Sequence, residues 1–156
     1  MTLDAVDCAI LETLQTEGRV TNSELATRVG LTPAPTLARV NKLESAGYIK
    51  GYAAIVDREM VGLPVTAFVS VILKSHGSGP AKAFLDSVNS LPEIIECHHI
   101  AGDEDYLLKV VAASPADYES FVLDKLSEIG DIQRFKTTIV LSSPKTLTAV
   151  PIRGET

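Results

Sequence analysis

The sequence predicts an α+β chain: a helix-turn-helix (winged-helix-like) domain followed by a ferredoxin-like βαββαβ domain. Two observations carry this. Up to a seam near residues 58 to 64 the apolar residues recur at helical spacing, and from residue 65 they fall into strand-like runs separated by two further helical stretches. The division is therefore residues 1–57, a linker at 58–64, a second domain at 65–143 and a tail at 144–156.

Each helix of the first part carries its own punctuation. Val6, Ile10 and Leu14, with Leu3 and Leu11 beside them, form the stripe of a first helix. Asp4 and Asp7 lie in its first turn, where negative charge suits the helix dipole, and Gly18 is its predicted end. Thr21 followed by Glu24 is a capping box for a second helix bearing Leu25 and Val29, and Gly30 is its left-handed stop. Thr32 is a natural N-cap for a third. Pro33 then occupies N1 and Pro35 N3, both inside the first turn, whose N–H groups have no helical partner. In that helix Leu37, Val40 and Leu43 are predicted to face the core, while Pro35, Ala38, Arg39, Lys42 and Ser45 turn outward. A second helix, a short turn and an outward face of small residues and cations make a helix-turn-helix whose last helix can enter a major groove. The stretch YIKGYAAIVD, 48 to 57, has tyrosines and β-branched residues at strand-like positions and reads as a strand or wing.

The second part reads as a strand over 65–74, a helix over 80–91, two strands IIECHHIAG and DYLLKVVAA about a tight GDED turn, a helix over 116–129 and a strand over 132–143. Four strands and two helices in this order give a split βαβ sheet, expected antiparallel, with both helices on one face and its edges open. The tail shows no period and is expected to dock loosely or fray.

Composition bounds the function classes. A chain of 156 residues, 46% hydrophobic and 22% charged, has an ordinary globular balance. No apolar run approaches the roughly 20 residues of a membrane span, and the opening MTLDAVD is acidic, so the expected location is the cytoplasm. Cys8 and Cys97 lie within apolar patterns and read as reduced, buried small hydrophobes. A net charge of −6 argues against a generally basic nucleic-acid binder. Residues 1 to 60 hold six cations and eight acids, a net −2, so DNA affinity has to come from arrangement and from several half-sites acting together. With open strand edges this predicts at least a dimer.

No Gly-rich phosphate loop, serine elbow or paired-acid spacing occurs, and an enzyme is not expected. Cys97, His98 and His99 beside Asp103, Glu104 and Asp105 resemble a metal cluster, but strand alternation sends Cys97 and His99 to one face and His98 to the other. No metal and no cofactor is expected. The GDED turn has a better use. Gly102 permits a backbone that presents successive N–H groups to a carboxylate, and Asp103 or Asp105 can accept from an ammonium, which together suit an α-amino acid.

The stretches LDAVDCAILETLQTEGRVTNSELATRVGLTPAPTLARVNKLESAGYIKGYAAIVD and ECHHIAGDEDYLLKVVAAS resemble the leucine-responsive regulatory protein and AsnC family of prokaryotic transcription regulators, the feast/famine regulators. The resemblance spans residues 3 to about 142. Its most specific pieces are Leu3, Asp4, Asp7, Ile10 and Leu11, then Arg39, Leu43, Glu44, Gly47, Ile49 and Gly51, then Gly102, Asp103, Asp105 and Tyr106. The resemblance implies a DNA-binding dimer that assembles further, often into an octamer, and that senses an amino acid in a cleft between dimers.

Two sets of residues follow. The expected DNA contacts are Thr32, Ala34, Pro35, Thr36, Ala38, Arg39, Lys42 and Lys50; the expected effector site is Ile100, Ala101, Gly102, Asp103, Asp105 and Tyr106 against Thr137, Thr138 and Ile139, which the resemblance places on the last strand of a neighbouring copy. The competing reading is an amino-acid-binding regulatory protein whose helical half makes protein contacts only. That reading calls for an exposed apolar anchor on the third helix, which Pro35, Ala38, Arg39 and Lys42 do not supply.

Overall fold

The computed structural model describes residues 2–75, 77–146 and 149–154. The chain divides into two compact units, one of residues 1–55 with the tail from Pro144, the other of residues 56–143.

The first unit is three helices: α1 (Ala5–Thr16), α2 (Asn22–Val29) and α3 (Pro33–Ser45). Asp4 is not in the first turn of α1 but is its N-cap, and with Asp7 at N3 it forms a reciprocal capping box. The helix stops at Thr16, where the Glu17 N–H returns to the Thr13 carbonyl at 2.8 Å, before Gly18 is reached. Thr21 and Glu24 box the start of α2, and Gly30 closes it at φ 71°, as the left-handed cap requires. Ile10, Leu11, Leu25 and Leu43 are the buried centre of this unit, each contributing about 1.5–3 kcal/mol by leaving water.

Two further expectations are corrected in this unit. Leu37 does not join the core: it is 49% exposed, and the fully buried neighbour is Thr36, whose hydroxyl donates to the Thr32 carbonyl at 2.9 Å. Residues 48–57 form no strand, because none of the described residues pairs with them in a ladder; Ile55 and Val56 stand exposed. Of the two outcomes expected for the tail, its described residues show docking. Ile152 packs against the helical core, and Val150 exchanges two hydrogen bonds with the Gln15 amide, its N–H donating at 2.6 Å and its carbonyl accepting at 3.0 Å.

The second unit is β1 (Val65–Leu73), α4 (Ser78–Asn89), β2 (Ile94–His99), β3 (Tyr106–Ala112), α5 (Pro115–Asp124) and β4 (Ile132–Ile139). The sheet runs in the order β2-β3-β1-β4 with every pair antiparallel. Ala67, Val69, Val71 and Leu73 of β1 and Tyr106, Leu108, Val110 and Ala112 of β3 share one core with Phe84, Val88, Tyr118 and Phe121, so both helices cover the same face. Phe68, Ser70, Ile72 and Leu107 lie half-buried on the other. The predicted helix over 116–129 breaks at Lys125 and tightens into a 3-10 turn over Leu126–Glu128, which brings both Leu126 and Ile129 into the core. β4 ends at Ile139 rather than 143.

Candidate functional site

The elbow between α2 and α3 is held by local bonds. Leu31 N–H returns to the Ala26 carbonyl at 2.9 Å across Gly30, and the Asn22 amide donates to the Pro33 carbonyl at 2.8 Å, joining the starts of the two helices. Thr32, Ala34, Pro35, Ala38 and Lys42 are exposed along α3, and Lys50 is exposed beyond it. The Thr32 hydroxyl makes no capping bond, so the N-cap works through backbone geometry and the proline at N1.

Two of the expected contacts lie elsewhere. Thr36 is fully buried, so its side chain cannot reach a groove. Arg39 turns toward α1: its Nη1 lies 2.7 Å from Asp4 Oδ2 and 2.7 Å from Asp7 Oδ1, and the Asp7 side chain is only 6% exposed. The shared guanidinium closes the capping box of one helix from the flank of another. The backbone N–H of Asp7, followed by Arg39, holds the Asp4 carboxyl below its ordinary range, and the two carboxylates in turn raise the guanidinium. Arg28 is committed in the same way, donating to both oxygens of Glu17 at 2.8 Å. The side-chain directions that commit these arginines depend on packing between helices, which spacing along one helix does not specify.

The second candidate is the loop joining β2 to β3. Gly102 adopts φ 150°, a conformation that a side chain would strain. Asp105 is a structural member of this loop: its N–H donates to the Val71 carbonyl at 2.9 Å, its carbonyl accepts from Ile100 at 3.0 Å, and its Oδ2 accepts from the Leu73 N–H at 2.8 Å. Tyr106 is buried, its ring 4.8 Å from that of Phe84 and 5.0 Å from that of His99. Asp103, Ala101 and Gly102 are exposed and Ile100 is half-buried.

Within one chain the loop does not meet the expected part of β4. Thr137, Thr138 and Ile139 pair with Val69, Phe68 and Ala67, whereas the loop is stitched to Val71 and Leu73 at the other end of β1. Thr137 is further tied to Tyr118 by a 2.6 Å hydroxyl contact; Thr138 and Ile139 are exposed. What the loop does meet is Lys136, whose Nζ stands 3.5 Å from Glu104 Oε1. Glu104, Lys136, Arg134, Phe135, Ser70 and Ile72 line a cavity of about 410 Å³. Glu104 was named only as part of the GDED turn, and Arg134 and Lys136 were not singled out from the sequence; the signal available was their alternation, which puts two cations on one face of a strand.

Cys97, His98 and His99 do not converge on one point. Cys97 packs half-buried against the core, where burial raises its thiol, while exposed His98 lies 3.3 Å from Glu96 and His99 stacks on Tyr106. Among the described residues no three His, Cys, Asp or Glu side chains are placed to hold an ion, and no helix is long and apolar enough to cross a membrane.

Comparison with known proteins bears on both candidates. Residues 3–50 match the winged helix-turn-helix DNA-binding model, and residues 66–150 match the Lrp/AsnC ligand binding domain. The chain is 37% identical over 150 residues to the transcriptional regulator AzlB of Bacillus subtilis, covering 96% of each chain. It is 38% identical over 150 residues to the leucine-responsive regulatory protein of Rhizobium meliloti, again covering 96% of each. Among solved structures, a Neisseria meningitidis transcriptional regulator in complex with L-methionine superposes with a TM-score of 0.93 at 37% identity, over 96% of this chain and 97% of that one. Escherichia coli AsnC superposes with a TM-score of 0.86 at 30% identity, over 96% and 100%. The helix-turn-helix, the βαββαβ sheet and these likenesses together establish that the chain belongs to the Lrp/AsnC family of transcriptional regulators, which are not enzymes.

Proposed function

We propose that this regulator binds double-stranded DNA through the exposed face of α3 and answers to an amino acid held at the loop of residues 100–105. The observation that carries the effector reading is the opposition of Glu104 to Lys136 and Arg134 around one cavity beside the Gly102 turn. A free amino acid bears one ammonium and one carboxylate; Glu104 suits the first and the two cations suit the second. Asp103, exposed on the same loop, is a further partner for the ammonium, whereas Asp105 and Tyr106 are committed to holding the loop. The L-methionine complex of a relative with the same fold supports the ligand class.

The regulator works as a dimer at least. Residues 50–56 present unpaired backbone with exposed Tyr52, Ile55 and Val56, and the matching segment of a second copy supplies a two-fold strand partner. Thr137, Thr138 and Ile139 meet the loop of another copy when dimers assemble toward an octamer, so that effector binding differs between assembly states and shifts their populations. Its place of action is where the DNA lies, the prokaryotic cytoplasm. Leu37 does supply an exposed apolar side chain on α3, so the composition of that face alone does not separate DNA from protein contacts; the DNA-binding family does.

The test is a thermal-shift screen of the twenty standard amino acids, with light scattering in parallel, on the wild type and on Glu104→Ala and Asp103→Ala. At least one amino acid is expected to raise the melting temperature, and Glu104→Ala to abolish that rise. Binding that neither substitution alters would sink the assignment of the loop, and a monomer at micromolar concentration would sink the assembly.

A further inference from the structure

We infer that Asn41 is the base-reading residue of α3, recognising an adenine through its side-chain amide in the major groove. This rests on the DNA-binding reading above and goes beyond it by assigning specificity to a residue that neither the helix-turn-helix pattern nor the charge count singles out.

The inference follows from which polar groups on α3 remain uncommitted. The first turn offers few donors: Pro33 and Pro35 have no N–H, and the Thr36 N–H donates to the Thr32 carbonyl at 3.3 Å. Its side chains, Pro33, Ala34 and Pro35, are apolar, so they can pack on thymine methyls or sugars but cannot read a donor-acceptor pattern. In the second turn Thr36 is buried and Arg39 is held by Asp4 and Asp7. In the last turn the Glu44 carboxylate accepts from the Tyr52 hydroxyl at 3.0 Å, and the Ser45 hydroxyl donates to the Asn41 carbonyl at 2.7 Å.

Beyond the N-cap, where the short Thr32 hydroxyl is also exposed and makes no capping bond, two side chains are left, Asn41 and Lys42, both exposed and neither hydrogen-bonded within the described residues. At 100° per residue Asn41 lies about 140° from buried Thr36, near the middle of the outward face and beside Ala38. Ala38 has no bulk to hold the helix away from the base edges. Lys42 falls on the flank, and its ammonium donates without accepting, which suits phosphate or a guanine edge. Of these, Asn41 alone offers a donor and an acceptor on two separate atoms side by side, and the adenine edge in the major groove presents the matching N7 acceptor and N6 donor.

The experiment uses the full-length protein. Binding sites are selected from randomised duplex DNA with the wild type, Asn41→Ala and Lys42→Ala, and dissociation constants are then measured across a salt series. The wild type is expected to select an A·T pair at one position of each half-site. Asn41→Ala should lose that preference alone, lowering discrimination there about tenfold with the salt slope unchanged, whereas Lys42→Ala should flatten the salt slope. Replacing the selected adenine by 7-deazaadenine should weaken the wild type by a similar factor and leave Asn41→Ala unaffected, a comparison that needs no change to the wild-type protein. If the wild type binds but Asn41→Ala keeps every base preference, or 7-deazaadenine weakens both proteins alike, the assignment is overturned. If the wild type binds no duplex at all, the DNA-binding reading fails with it.

Discussion

The guanidinium of Arg39 donates to the buried carboxylate of Asp7 at 2.7 Å, which fastens the middle of α3 to the first turn of α1. An arginine expected to face DNA is thereby part of the domain's internal bracing. Arg39→Ala should destabilise the first unit by about 1–3 kcal/mol, because it leaves a buried carboxylate with one partner fewer. Urea unfolding measures the loss. The same variant should leave the slope of log affinity against log salt unchanged; a reduction of that slope by about one would mean instead that Arg39 meets phosphate.

In the helical unit the acid limb of the stability curve should belong to its capping and ion-paired carboxylates. Asp4, Glu17 and Glu24 are all lowered, Asp4 by the Asp7 N–H and Arg39, Glu17 by Arg28, and Glu24 by the Thr21 hydroxyl and N–H. A lowered folded-state pKa contributes stability that is fully present above the unfolded value and lost as pH falls through the folded one, so the loss should begin near pH 4 and deepen below it. Melting temperatures between pH 7 and 3 would follow this. Asp4→Asn, which keeps an N-capping side chain without the charge, should flatten the limb.

Two neighbouring acids of one loop should behave oppositely. Asp105→Ala removes the acceptor of the Leu73 N–H and should cost about 1–2 kcal/mol of stability. Glu104→Ala, which removes one partially exposed ion pair, should change stability by less than about 1 kcal/mol while weakening the amino acid. Denaturant midpoints separate the two, and equal destabilisation by both would refute the distinction.

Removing the tail should weaken the helical unit rather than the sheet. Ile152→Ala should cost about 1–2 kcal/mol, less than a fully buried isoleucine, and Gly154→Val should also destabilise, because a Cβ there would lie 2.9 Å from Cys8 Sγ. Hydrogen exchange resolves which unit responds; slower protection loss in α1 than in β1 would contradict the assignment.

The parts legible in the sequence were those fixed by short-range chemistry. Thr21, Glu24 and Gly30 set both ends of α2 through bonds within a few residues, and the alternation in β1 and β3 follows from a two-residue period against one core. The parts not legible depend on contacts distant in sequence. Arg39 finds Asp4 across 35 residues, Asp105 finds Leu73 across 32, and Gln15 finds Val150 across 135. Periodicity misjudged Leu37 and Thr36 for a related reason: the stripe was centred on the larger apolar residue, while packing turned the helix to bury the smaller threonine, whose hydroxyl has a backbone acceptor within its own turn.

The bonds between Gln15 and Val150 also bear on synthesis. The first helix precedes the sheet in the chain and Ile152 follows it, so the helical unit does not have its full set of contacts until residues near Ile152 have been made, after the whole sheet. The nascent helices therefore wait with part of their apolar surface uncovered, and the finished reading head arrives only with a chain that already carries its sensor. A chain that stops within the sheet lacks this last brace of α1, so its helical unit is expected to be less stable than that of the full chain.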